Sequence, residues 1–306
     1  GMITVGVMTL GGTAVTYTDL RKTSDLVPAD ANSFAGKAWN YPGDFYSPCM
    51  VLSGQQSTVG VSLMVGSLCA IRHWRQWRVP PATLLLGVVG LFGYHFFLFV
   101  AFRLAPAVEA NLLNYLWPLL IVLLSPVLLP GYHLNTRHIL GALAGFVGAA
   151  LVVTGGKLSI DLTALPGYGC AALAALLWAG YSLLTKRVPA FPTAAIGGFC
   201  LLSGALSLAC HALMEPAVHP SASQWLTLLL LGAGPMGLAF FLWDKALKLG
   251  DPRQIGALSY LTPLLSTLLL VASGRGQLGP TTGAAIALIV GGALAGTVDW
   301  KGLRRR

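Results

Sequence analysis

The sequence predicts an all-α integral membrane protein, with ten transmembrane helices arranged as two inverted five-helix repeats. Three observations predict it. The chain is 55% hydrophobic and only 9% charged, where an ordinary soluble domain has roughly 25% charged residues. Its apolar runs approach the ~20 residues that a helix needs to cross a ~30 Å hydrocarbon core. A Tyr-Leu-x-Pro segment occurs twice in similar surroundings, at NYLWPLL (114–120) and SYLTPLL (259–265).

The spans follow in order. Within residues 1–57, GMITVGVMTLGGTAVTYT is a weak apolar stretch that supplies helix 1, while 19–57 has no crossing-length run. Gly1 to Thr18 lack the basic n-region of a secretory signal. Residues 58–71, extended back through Val51, make helix 2. Eight further spans are bounded by Pro, Gly or charge: 81–102, 108–130, 136–155, 165–185, 192–214, 223–243, 254–273 and 279–299. In RHWRQWR (72–78), Trp74 and Trp77 are expected in an interfacial belt.

Lys and Arg in the loops set the orientation. With ten helices, Arg72, Arg75, Arg78, Arg137, Lys186, Arg187, Lys245, Lys248, Arg253, Lys301, Arg304, Arg305 and Arg306 fall on one side. Only Arg103, Lys157, Arg275, Arg21, Lys22 and Lys37 fall on the other. Both termini are therefore expected in the cytoplasm. A net charge of +9 spread over short loops suits topology signals and anionic lipid heads, not a nucleic-acid surface. The five cysteines, Cys49, Cys69, Cys170, Cys200 and Cys210, form no CxxC pair and have no histidine at zinc spacing. They read as small apolar fillers, and no metal or cofactor is expected.

Residues 103–120, RLAPAVEANLLNYLWPLL, align without a gap on 248–265, KLGDPRQIGALSYLTPLL. A five-helix unit has an odd number of crossings, so its second copy must be inverted. Inverted repeats meeting near the midplane recur in transporters, whose site lies between the halves. The competing reading is a duplication that only makes a stable bundle, its prolines tolerated as kinks.

Polar groups within the spans favour a site. Asn111, Asn114, Tyr115 and Pro118 share one helical face, and their repeat equivalents are Gly256, Ser259, Tyr260 and Pro263. Trp178, Tyr181, Ser182 and Thr185 form a similar stripe. Such groups are costly against lipid and should face one another or a wet cavity. Tyr94 and His95 interrupt a phenylalanine-rich span; an imidazole there can donate, accept or change charge near neutral pH, or be satisfied by one hydroxyl neighbour. Between residues 58 and 300 the acidic residues are Glu109, Asp161, Glu215, Asp244, Asp251 and Asp299, mostly near helix ends. Clustered carboxylates for metal-dependent transferases and a mid-depth carboxylate for proton antiport are both missing. So are HExxH, GxSxG and Walker motifs, and no enzymatic activity is expected.

NYLWPLL, SYLTPLLS (259–266) and AALLWAGYSLLTKR (174–187) resemble the drug/metabolite transporter superfamily, specifically its EamA-type carriers. From Tyr94 through NYLWP the chain is most similar to the aromatic amino-acid exporters among them. The resemblance runs from about residue 58 to 300 and implies a first repeat at 1–157, a second at 158–300 and a basic cytoplasmic tail at 301–306. It implies a cavity lined by helices 3, 4, 6, 8 and 9 with helix 1. Its wall would comprise Tyr94, His95, Tyr115, Trp117, Trp178, Tyr181, Phe241 and Tyr260, with Ser259 beside it and His95 or Asn114 meeting the solute's polar end. Each repeat of the family opens on a helix often bearing a Leu-Trp-Ala stretch, as at 176–179; residues 1–57 contain none. The implied activity is export of aromatic or broadly neutral amino acids by alternating access through a bacterial inner membrane. The implied partners are a small-molecule substrate and the lipid bilayer, with no nucleic acid, and a monomer suffices. Another metabolite or a cationic drug is the alternative substrate; a membrane assembly protein or membrane enzyme is the alternative class.

Overall fold

A computed structural model describes residues 56–156, 161–215, 220, 222–272 and 281–297, and the regular structure among them is helical. The expected helix 1 lies outside these residues. Helix α1 (Gln56–Ser67) continues as a 3-10 helix through Trp77. Pro80 and Pro81 end that segment and start the next rod, since proline suits a first turn whose N–H has no partner to lose. This rod is α2 (Pro81–Val88), a π-helical turn (Val89–Gly93) and α3 (Tyr94–Leu104). Next come α4 (Ala107–Asn114), α5 (Leu116–Leu128) and α6 (Thr136–Thr154), then α7 (Leu165–Leu184) and α8 (Ile196–Met214). The following rod is α9 (Ala222–Ala233), a π turn (Gly234–Leu238) and α10 (Ala239–Leu249). The described chain closes with α11 (Pro252–Ser259), α12 (Leu261–Ala272) and α13 (Thr282–Thr297).

Caps follow local chemistry. Asn135 and His138 form a reciprocal capping box at the start of α6, which ends on Gly155 at φ 60°, a left-handed cap natural to glycine. Asp251 accepts from the Arg253 N–H at 2.9 Å to start α11. Among the described residues, six rods are long and apolar enough to cross a membrane, and α13 is a shorter apolar helix. Leu226, Leu229 and Leu230 of α9 and Leu140, Leu143 and Val147 of α6 point outward, where lipid rather than water must solvate them. The chain is a multi-pass membrane protein.

Most predicted spans agree with the observed rods to within a few residues. The span 223–243 runs further, to Leu249. Its apolar run stops at Trp243, but Lys248 pairs with Asp244 one turn back at 2.6 Å, and that i,i+4 pair carries the helix on. Trp74 is exposed with Arg75 over its ring, as an interfacial tryptophan should be. Trp77 departs from the belt expectation: its ring lies against Gly197, where a methyl group would fall 2.7 Å away. Glycine leaves a flat seat that a nearby indole fills.

The duplication is visible in the fold. The π turn, the following helix, and the breaks at Tyr115 and Tyr260 recur with a spacing of 145 residues. Proline explains the breaks. Pro118 and Pro263 sit in the first turns of α5 and α12 and lack the N–H that would bond four residues back. At the first break, the Tyr260 hydroxyl accepts from Leu119 N–H and donates to the Tyr115 carbonyl, both at 3.1 Å. It thus spans the gap where a regular helix would join those two backbone groups directly.

Helices α6 and α13 pack closely where Gly141, Gly145, Gly292 and Gly296 bring backbones together. A methyl group on Gly141 would lie 2.6 Å from the Gly292 carbonyl. Backbone cannot retreat as a side chain can, so Gly141→Leu is expected to cost at least about 1–3 kcal/mol. The check is a lowered detergent melting temperature; an unchanged value would mean the pair is not tightly clasped.

Candidate functional site

Helix α7 crosses the middle of the bundle and presents Trp178, Tyr181 and Ser182 on one face. Three other rods send aromatic groups toward Trp178. Tyr94 approaches from α3 at 5.1 Å between ring centroids, Phe240 from α10 at 5.8 Å, Trp243 from α10 at 6.0 Å, and Trp117 from α5 at 6.4 Å. Tyr181 adds a fifth ring at 5.4 Å. Trp117 meets Trp243 edge to face at 5.6 Å, a favoured aromatic geometry. All these rings, and His95, are at most 4% exposed. Glycine admits one of them, for a methyl group on Gly90 would fall 2.3 Å from Tyr181 Cγ.

The polar groups at this cluster are few and placed. Trp243 Nε1–H donates to Ser182 Oγ at 3.1 Å, and Asn114 Nδ2–H donates to the Tyr94 hydroxyl at 3.3 Å. His95 Nδ1–H donates to the Leu91 carbonyl at 2.6 Å. That bond leaves Nε2 as the acceptor, on a ring packed between Tyr94 at 4.9 Å and Phe240 at 5.9 Å. His95 and Phe240 occupy equivalent positions of the two copies, as do Tyr115 and Tyr260, so these contacts mark where the repeats meet.

Of the residues expected at the site, Tyr94, His95, Asn114, Trp117, Trp178 and Tyr181 come together. Tyr115 and Tyr260 are buried at the crossing of the two broken helices. Tyr260 packs with Phe146 and against Gly145, in a cluster with Leu119 and Val122. The Ser259 hydroxyl donates to the Ile255 carbonyl of its own helix. Phe241 packs against the aromatic cluster from outside, while Phe240, one residue earlier, is part of it. The sequence reading missed Phe240 and Trp243. Both were reachable by transferring His95 through the repeat to Phe240 and then stepping three residues along the same face.

An ion pair lies beside each end of α8. At its C-terminal end, Arg103 of α3 bonds the Glu215 carboxylate, which also meets His211 Nδ1 at 2.7 Å and accepts from Gln56 N–H at 3.0 Å. At its N-terminal end, Lys248 of α10 donates to Asp244 at 2.6 Å and to the Phe191 carbonyl at 2.8 Å. Asp244 accepts from the Thr193 hydroxyl at 2.6 Å. Arg103 and Lys248 are repeat equivalents, one at each end of the same helix. The Lys248 end also gathers Lys186, which donates to the Gly250 carbonyl, and Arg253, which reaches the His133 carbonyl.

Chemically, this arrangement offers ring faces and edges that suit a flat apolar group, with a few hydrogen-bonding groups beside them. Comparison with known proteins agrees with its architecture. The model of the EamA-like transporter family matches residues 43–154 and again 165–296. A protein of Ancylobacter novellus called aromatic amino acid exporter YddG is 47% identical over 72% of this chain and 77% of its own. The Escherichia coli protein of that name is 27% identical over 74% of this chain and 80% of its own. A solved crystal structure, 36% identical, has a TM-score of 0.76 over 96% of this chain and 98% of its own.

Proposed function

The chain belongs to the EamA-like transporter family, and from that premise we propose that it exports amino acids, aromatic ones foremost, across a bacterial inner membrane. The observation that carries this reading is Trp178, a buried indole with five aromatic neighbours on three other rods and its own. A solute ring that replaces some of those contacts keeps edge and face partners of the same kind, which an aliphatic side chain cannot use as fully. The two family-model matches and the recurring breaks support assigning residues 1–157 and 158–300 to successive inverted repeats. Alternating access then follows from opening one end while the other stays latched.

The test is flux in liposomes holding purified protein, with labelled tryptophan, phenylalanine, tyrosine, leucine and alanine under a controlled pH gradient. Aromatic flux above aliphatic flux is the expected result, and flux of none of the five removes the proposal. Organic cations are the second reading, because tryptophan and tyrosine faces also attract them; an aromatic quaternary ammonium that is carried while amino acids are not would favour it.

The basic end, with Arg72, Lys186, Lys248 and Arg253, is assigned to the cytoplasm by the positive-inside rule. Both termini then lie there. A reporter fused after Arg306 is expected to show cytoplasmic activity, and a periplasmic signal would overturn the assignment.

A further inference from the structure

Asn111 is 1% exposed, and neither its side-chain oxygen nor its nitrogen has a hydrogen-bond partner. One turn on, Asn114 is fully buried; its nitrogen is used on Tyr94, but its oxygen has no partner. Buried polar groups are nearly always satisfied, and an unmade bond costs the group's whole desolvation. Three unsatisfied atoms on one face of α4, beside the aromatic cluster, need a physical reason.

The duplication excludes one reason, that this fold requires amides there. At the equivalent position of the second copy stands Gly256, and a methyl group on it would fall 2.9 Å from the Pro118 carbonyl. The equivalent of Asn114 is Ser259, whose hydroxyl is satisfied by its own helix. The same helix break therefore forms with no unsatisfied amide at all. The asparagines belong to the first copy alone and to something other than the bend.

We propose that Asn111 and Asn114 form the head-group site for the transported solute, binding the α-ammonium and α-carboxylate of a zwitterionic amino acid. The Asn111 and Asn114 side-chain oxygens accept from the ammonium, and the Asn111 NH2 donates to the carboxylate. The Asn114 bond to Tyr94 ties this polar edge to the ring wall, so head and side chain of one solute are read by adjacent groups. A neutral amide pair suits this task, since it binds a dipolar head without adding a net charge at membrane depth. The site rests on the amino-acid reading above and extends it by naming which atoms distinguish an amino acid from a bare aromatic.

The experiment uses the full-length protein in liposomes and measures competition against labelled tryptophan by tryptophan, tryptamine (no carboxylate) and indole-3-propionate (no ammonium). Wild type is expected to prefer tryptophan over both analogues. Asn111→Leu, similar in shape and without polar atoms, is expected to weaken tryptophan by about tenfold or more and to change the analogues much less. Its ligand-free melting temperature is expected to hold or rise, because a buried unsatisfied amide has been removed. Unchanged tryptophan affinity in folded Asn111→Leu overturns the site, as does failure of both Asn111→Leu and Asn111→Ala to fold, which would assign the amide to the structure. If wild type carries no amino acid, the amino-acid reading itself has failed; if it does and the variant matches it, only the head-group site has.

Discussion

Trp178→Ala is expected to lower aromatic flux by at least about tenfold while reducing aliphatic flux far less. The indole makes contacts with Tyr94, Trp117, Tyr181, Phe240 and Trp243, and aromatic pairs contribute about 0.5–1.5 kcal/mol each beyond area burial. A solute ring entering this cluster uses the same faces. Truncation also leaves a cavity in the packed bundle, which for a buried tryptophan costs about 3–5 kcal/mol of stability. Trp178→Phe separates the two effects by keeping a ring with less area. Aromatic preference that survives in Trp178→Phe and disappears in Trp178→Ala supports the site. Equal losses for every substrate, together with a fall in melting temperature, would make Trp178 a packing residue only.

The second large effect is expected at the two ion pairs beside the ends of α8, Arg103–Glu215 and Lys248–Asp244. The Glu215 and Asp244 carboxylates are each 1% exposed, and removing one partner of a buried pair is far costlier than losing a surface pair. Glu215→Gln weakens the hold of Arg103 and His211 and is expected to open that end. Asp244→Asn does the same for Lys248 and Thr193 at the opposite end. A coupling of about 1–3 kcal/mol corresponds to a shift of 5–150-fold between states. The readout is the rate at which an impermeant maleimide labels Ser182→Cys from each side of sealed liposomes, in a chain whose native cysteines are replaced. The two variants should raise labelling from opposite sides. Labelling that rises equally from both, or does not rise while stability falls, would reduce the pairs to ordinary structural contacts.

Much of this architecture is legible in the sequence because the bilayer imposes one simple requirement, a long apolar helix bounded by polar or helix-breaking residues. Pro81, Gly155 and Pro252 therefore locate rod ends well. Residues 1–57 give only the weak apolar stretch 1–18 and the few residues that extend helix 2 back to Val51, a far fainter signal than the later spans. The end of α10 escapes the same reasoning, since its last turns are held by a side-chain ion pair that hydropathy does not register. At the site, Tyr94, His95, Trp117, Trp178 and Tyr181 are conspicuous as polar or aromatic groups inside apolar spans. Phe240 and Phe241 are not, because adjacent positions on a helix differ by roughly 100° in direction and composition cannot choose between them. Tyr260 shows the limit of transferring roles through a repeat. It matches Tyr115 in sequence, yet its hydroxyl fills a backbone gap in the other copy, a role set by the crossing of two broken helices.

The glycine contact between α6 and α13 bears on how the chain is made. Helix α6 closes the first repeat, but the partner that covers Gly141 and Gly148 is the last helix described, Thr282–Thr297. During synthesis, the helices between them are inserted while that small-residue face has only lipid beside it. The first repeat therefore cannot finish its own packing as it emerges, in contrast to domains that fold one after another from the amino terminus. Assembly of both halves waits on the arrival of Thr282–Thr297, so the two repeats commit to their folded state together rather than one after the other.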